Sequence, residues 1–120
     1  MPRILMIDDS MFQRFSLGKL LKGLGHEPLE AADGLSGLRM VEAEKPDLIV
    51  MDLNMPGQGG LETLIEIRKF SAALPVVILS ADIQDTTRSR CLEAGATAFV
   101  NKPFDAAGFS ALIGECLTGK

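Results

Sequence analysis

Neither tryptophan nor tyrosine occurs in the 120-residue chain, so phenylalanine supplies its only aromatic rings and no phenolic hydroxyl is available. Histidine is nearly missing: His26 follows Gly25 at an expected helix end, a place for capping or exposure rather than catalysis. Cysteine occurs twice, and Cys91 and Cys116 lack the close spacing of metal ligands. Both fall among helical apolar positions and read as buried thiols, which points to a reducing compartment, the cytoplasm. No apolar run approaches the ~20 residues of a membrane helix, and Met1-Pro2-Arg3-Ile4 leads straight into a strand without a signal-peptide pattern. Basic residues are not in surplus. Twelve Lys and Arg stand against sixteen Asp and Glu, and a net charge of −4 argues against direct nucleic-acid binding. With no repeats, low-complexity tracts or linkers, one domain spanning 1–120 is expected.

What the chain does have is a set of short apolar runs that end in polar groups. Leu48-Ile49-Val50-Met51 suits a central strand buried on both faces, and it stops at Asp52 before Pro56 and Gly57 break the backbone. Ile4-Leu5-Met6-Ile7 ends at Asp8 and Asp9, Val76-Val77-Ile78-Leu79 ends at Ser80, and Ala98-Phe99-Val100 ends at Asn101-Lys102-Pro103. Glu27 to Ala31 is a shorter, weaker strand.

Helices fill the intervals. Ser10 through Gln13 matches a capping box for a helix carrying Leu17, Leu20, Leu21 and Leu24, with Gly23 and Gly25 near its end. Asp33 caps a helix through Leu35, Leu38 and Val41 that Pro46 stops. Gly59-Gly60 opens a helix whose inner face is Leu61, Leu64, Ile65 and the stem of Arg68. Asp85 is expected to cap a helix carrying Cys91 and Leu92, with Gly95 just past its end. Asp105 caps a last helix with Phe109, Leu112, Ile113 and Cys116 at i, i+3, i+4 and i+7, weakened by Gly108 and Gly114. The methionines read as core filler.

Five strands alternating with five helices imply an α/β fold, a three-layer sandwich around a parallel sheet with right-handed crossovers. Ligands bind such sheets at the carboxyl edge of the strands, and the flavodoxin-like order 2-1-3-4-5 brings strands 1 and 3 together at the switch point. That order gathers Asp8, Asp9 and Asp52 into one pocket, with Ser80 and Lys102 beside it.

Three close carboxylates repel one another unless a cation sits among them, and hard oxygen ligands suit Mg²⁺. A cation, the Lys102 ammonium and the Ser80 hydroxyl around a carboxylate make a receptor for phosphoryl oxygens. Asp52, alone on the middle strand, is the natural nucleophile, and the paired Asp8 and Asp9 are the natural metal ligands. Each residue also has a plainer use. Asp8 and Asp9 cap a helix with Ser10, Asp52 begins a turn, Ser80 ends a strand, Lys102 is a solvated lysine, and Phe99 packs the core.

Ile7-Asp8-Asp9-Ser10, Met51 to Gly57 with Gly60, Leu79-Ser80-Ala81, Ala94-Gly95-Ala96 and Val100-Asn101-Lys102-Pro103-Phe104 occur in one order and spacing. With these motifs the chain resembles, over essentially its whole length, the receiver domain of two-component response regulators, the CheY-like family. The resemblance implies a (βα)5 fold and an Mg²⁺ ion held by Asp8, Asp9, Asp52 and the backbone carbonyl of Asn54. It implies a phosphoryl group accepted by Asp52 from the phosphohistidine of a sensor histidine kinase or phosphotransfer protein. Ser80 and Lys102 then contact that group, and the Lys102-Pro103 bond is expected to be cis. Ser80 and Phe99 are the implied switch pair, acting on a protein-binding surface of the fourth helix, fifth strand and fifth helix. Phe99 brings no hydroxyl to that switch, and Gln58-Gly59, where the family often has an apolar-acidic pair, implies a more mobile loop.

The resemblance thus implies a signalling switch in a phosphorelay that catalyses only its own phosphorylation and dephosphorylation. It would act as a monomer or weak homodimer on a downstream protein target, without direct nucleic-acid contact or membrane insertion. The rival from another class is an Mg²⁺-dependent aspartyl-phosphate phosphatase or hydrolase on a similar sheet. Such enzymes usually carry a second acid two residues after the nucleophile, where this chain has Asn54, and a covering cap for which 120 residues leave no room. Flavin binding would need a Ser/Thr/Gly-rich turn where Asp8-Asp9 stands.

Overall fold

The computed structural model describes residues 1–55 and 57–118; Pro56, expected to break the chain after the third strand, lies outside them. Ten elements alternate along the chain: β1 (Arg3–Ile7), α1 (Met11–Gly23), β2 (Glu27–Ala31), α2 (Gly34–Glu44), β3 (Leu48–Asp52), α3 (Gly60–Phe70), β4 (Val76–Ser80), α4 (Asp85–Glu93), β5 (Ala98–Asn101) and α5 (Ala106–Thr118). The strands pair in parallel in the order β2-β1-β3-β4-β5, the flavodoxin-like order expected from the polar residues at the strand ends. No helix among the described residues is long and apolar enough to cross a membrane.

The continuous apolar runs become central strands because helices cover both faces of the sheet. Side chains alternate between two cores. Leu5, Ile7, Ile49, Met51, Val76, Ile78 and Phe99 face one, with Val41, Leu64, Ile67 and Cys91 from α2, α3 and α4. Ile4, Met6, Leu48, Val50, Val77 and Leu79 face the other, with Leu21 of α1 and Phe109, Ile113 and Cys116 of α5. β2, at an edge, is buried only at Ala31 and partly at Pro28 and Leu29, which is why its sequence carries so little strand signal.

Helix boundaries follow local chemistry. The Ser10 Oγ accepts the Gln13 N–H, and Asp33 Oδ1 accepts the Ser36 N–H at 2.7 Å. Lys45 closes α2 in the left-handed region (φ 48°), one residue ahead of Pro46. Gly25 (φ 89°) and Gly95 (φ 109°) end α1 and α4. The N–H groups of His26 and Ala96 turn back to the carbonyls of Leu21 and Cys91, a closure that needs the positive φ glycine tolerates.

Several expected faces are rotated. Ile65 of α3 is 45% exposed, whereas Ile67 and Thr63 are buried. The buried face of α3 is Gly60, Thr63, Leu64 and Ile67, at i, i+3, i+4 and i+7, and the Thr63 hydroxyl donates to the Gly59 carbonyl and accepts from Gln58 Nε2. Gln58 and Gly59, expected to leave that loop loose, are therefore both hydrogen-bonded, Gly59 N–H also reaching Glu62 Oε1. Arg68 uses its head as well as its stem: the guanidinium donates to the carbonyls of Gly95, Ser71 and Leu74, clasping α3 to the entry of β4 and β5. Asp85 does not cap α4. Asp82 accepts the Gln84 N–H and the Thr87 hydroxyl, starting the helix so that Asp85 falls in its first turn. Leu24, Leu35 and Leu92 are exposed rather than inward, and Met1 and Met11 are exposed while Met6, Met51 and Met55 fill the core. α4 buries only Cys91 among its nine residues.

Candidate functional site

The register of the sheet aligns the ends of four strands. Ile7 pairs with Met51, Asp52 with Leu79, and Ser80 with Asn101, so Asp8, Asp52, Ser80 and Lys102 emerge along one edge. Asp8, Asp9 and Asp52 each offer a carboxylate oxygen, and these atoms lie within 4.8 Å of one another. Asp8 and Asp52 are buried, while Asp9 is exposed and leaves the pocket open to solvent. Lys102 reaches in from the end of β5, its Nζ 3.0 Å from Asp52 Oδ1. The Lys102-Pro103 peptide bond is cis, as expected.

The charges are poorly matched without a further cation. Burial pushes the Asp8 carboxyl above its ordinary value of 3.8, and the charges of Asp52 and Asp9 push the same way. The Ser10 N–H, 2.8 Å from Asp8 Oδ1, and the Lys102 ammonium oppose that rise without cancelling it. One ammonium cannot neutralise three carboxylates. A hard divalent cation with oxygen preferences fits this donor set, and Asn54 is exposed in the loop after β3.

Ser80 is fully buried, and its Oγ accepts the Asp82 N–H at 3.0 Å, so the hydroxyl is engaged with the β4–α4 turn. Asn101 braces the same turn, its Nδ2 donating to the Asp82 carbonyl at 2.8 Å. Phe99 lies in the core on the β5 face that α4 covers, 7% exposed, next to Cys91 and Ile78.

Sequence reasoning did not find two further residues at this edge. Arg14 donates from Nη1 to the Asp8 carbonyl at 2.6 Å while its Nε pairs with Glu30 of β2 at 2.9 Å, pinning the loop that carries the acidic pair. Its place one turn into α1, behind the acids, is the only signal that could have suggested this. Gln13 does not complete the capping box. Its Oε1 accepts from Lys102 Nζ at 2.9 Å, a contact across 89 positions that spacing cannot reveal. Beside Gln13 and Lys102 lies an apolar groove of about 610 Å³, lined by Phe12, Leu17, Leu20, Leu79, Pro103 and Phe104.

Comparison with known proteins gives the family and the fold. The family model of the response regulator receiver domain matches residues 4–113. Protein PilH of Pseudomonas aeruginosa is 33% identical over 121 residues, covering 99% of this chain and all of that protein. The chemotaxis protein CheY of Halobacterium salinarum is 30% identical over 116 residues, 97% of each. Several other curated relatives are longer, and the chain spans half of their length or less. Among solved structures, a response regulator receiver domain protein from Clostridium thermocellum superposes with a TM-score of 0.94 at 27% identity, covering 99% of this chain and 96% of that one.

Proposed function

This chain belongs to the response regulator receiver-domain family, and on that premise we propose that Asp52 accepts a phosphoryl group from a phosphohistidine. The donor is a sensor histidine kinase or a phosphotransfer protein. An oxygen of the Asp52 carboxylate attacks phosphorus, the phosphorus–nitrogen bond breaks, and its electron pair returns to the imidazole, which takes up a proton. The observation that carries this reading is the Lys102 ammonium, 3.0 Å from Asp52 Oδ1 in a pocket where Asp8 and Asp9 also converge.

Lys102 is positioned to turn from the carboxylate to a phosphoryl oxygen and offset the charge gathering there. Asp8, Asp9, Asp52 and the Asn54 carbonyl would hold Mg²⁺, which supplies the positive charge that the acidic pocket lacks. The Ser80 hydroxyl, leaving the Asp82 N–H, would donate to the phosphoryl group. That movement frees the β4–α4 turn and lets Phe99 repack, altering the surface of α4, β5 and α5 for a downstream protein. Monomeric or weakly dimeric action in the cytoplasm is consistent with two buried thiols and a modest acidic charge.

Treatment with acetyl phosphate or phosphoramidate and Mg²⁺, followed by intact mass measurement, tests the reading. The parent gains one phosphoryl group that hydroxylamine removes, and Asp52→Asn gains none. A hydroxylamine-stable adduct, or one mapped to Ser10 or Ser80, overturns it.

A further inference from the structure

We propose that Gln13 is a positioning residue for Lys102, its carboxamide oxygen acting as the second anchor that holds the ammonium over Asp52. This rests on the phosphoacceptor reading above and extends it to a residue of α1. The Lys102 side chain has four rotatable carbon–carbon bonds and an ammonium with three donors. Two of those donors are taken, by Asp52 Oδ1 at 3.0 Å and by Gln13 Oε1 at 2.9 Å. The two acceptors come from different elements, one from the end of β3 and one from the first turn of α1. A lysine held by Asp52 alone would follow that carboxylate or swing out to solvent. A lysine held also by a neutral acceptor stays above the site when its bond to Asp52 is exchanged for one to an incoming phosphoryl oxygen.

Among the described residues, no other contact accounts for where the Gln13 side chain goes. Its backbone N–H already meets the Ser10 Oγ, so the helix cap does not need the carboxamide. The residue is exposed and contributes to neither core. A capping-box glutamine would reach back to its own N-terminus; this one reaches forward to the lysine. Neutrality also matters: a carboxylate at this place would add a fourth negative charge to an already acidic pocket, whereas the amide accepts a hydrogen bond without it.

The test uses Gln13→Met, close in shape but without an acceptor oxygen, and Gln13→Glu, which retains one. Brief acetylation with acetic anhydride, mapped by mass spectrometry, reads how firmly Lys102 is held. The Lys102 labelling rate rises about twofold or more in Gln13→Met and not in Gln13→Glu, with Lys19 and Lys69 unchanged in both. Phosphorylation by phosphoramidate slows by about three- to tenfold in Gln13→Met. In a Lys102→Ala background the same substitution adds no further slowing, because Gln13 then has nothing to position. Unchanged Lys102 labelling in Gln13→Met overturns the inference, as does an equal slowing with and without Lys102. If instead Asp52→Asn is phosphorylated like the parent, the phosphoacceptor reading fails, while the labelling result still decides whether Gln13 holds the lysine.

Discussion

Asp8→Asn should make the protein more stable in the absence of divalent cations, although it damages the pocket the fold is built to present. Asp8 is 7% exposed, and its carboxylate lies within 4.8 Å of oxygens from Asp9 and Asp52. At that separation, each like-charge pair costs about 1 kcal/mol with water-like screening and about 3.5 kcal/mol at an effective dielectric near 20. Lys102 offsets part of this, so removing the Asp8 charge should gain a net ~1–2 kcal/mol. The asparagine oxygen still accepts the Ser10 N–H, so no hydrogen bond is lost with the charge. Urea denaturation of both proteins in EDTA measures the difference.

The pH dependence has a definite sign. The folded-state pKa of Asp8 is raised, so the folded protein holds that proton more tightly than the unfolded chain does. Measured against the variant, which carries no titrating group at this position, the parent therefore loses nothing below the ordinary carboxyl value of 3.8 and loses stability as pH climbs through the raised value. The gap between the two proteins should be near zero in acid and open toward neutrality. Excess Mg²⁺ should close it again, since at ten times Kd the ion stabilises the parent by about 1.4 kcal/mol and the variant by much less. An Asp8→Asn protein less stable than the parent in EDTA at neutral pH, or Mg²⁺ stabilising both equally, would refute the reasoning.

Two other substitutions probe the frame around the site. Ser80→Ala should leave Asp52 able to react but uncouple the response: in NMR spectra with beryllofluoride, shift changes at Phe99 and along α4 should shrink, and equal changes in both proteins would remove Ser80 from the switch. Arg68→Met strips the donor from the carbonyls of Gly95, Ser71 and Leu74 and should cost about 2–4 kcal/mol in denaturant titration with an unchanged m-value; a loss under about 1 kcal/mol would show that water replaces the clasp.

The sheet was legible because β1, β3 and β4 are buried on both faces and must be apolar throughout, leaving their terminal polar residues conspicuous. Those ends named the residues that the fold brings together, Asp8, Asp9, Asp52 and Lys102. The helices were read less well. α3 carries apolar residues on more than one side, and periodicity alone could not choose between Leu61, Leu64 and Ile65 and the face actually buried, Gly60, Thr63, Leu64 and Ile67. The start of α4 was misplaced because Asp82, not Asp85, organises the turn. Gln13 and Arg14 escaped notice because their partners, Lys102 and the Asp8 carbonyl, are fixed by tertiary structure rather than by spacing.

The single buried side chain of α4 sets how independently that helix behaves. α5 anchors itself with Phe109, Ile113 and Cys116, α4 with Cys91 alone. At about 1.5–3 kcal/mol for each large apolar side chain buried, α4 is held several kcal/mol more weakly than its neighbour. Its amide protons should exchange with solvent through a local opening that leaves the sheet folded, whereas those of α5 await a deeper one. Carrying a two-state element from 1:99 to 99:1 takes about 5.5 kcal/mol, and a helix that commits only Cys91 to the core has little to hold it against such a shift. In this molecule a helix held by one buried side chain sits directly beyond the turn that Ser80 holds closed.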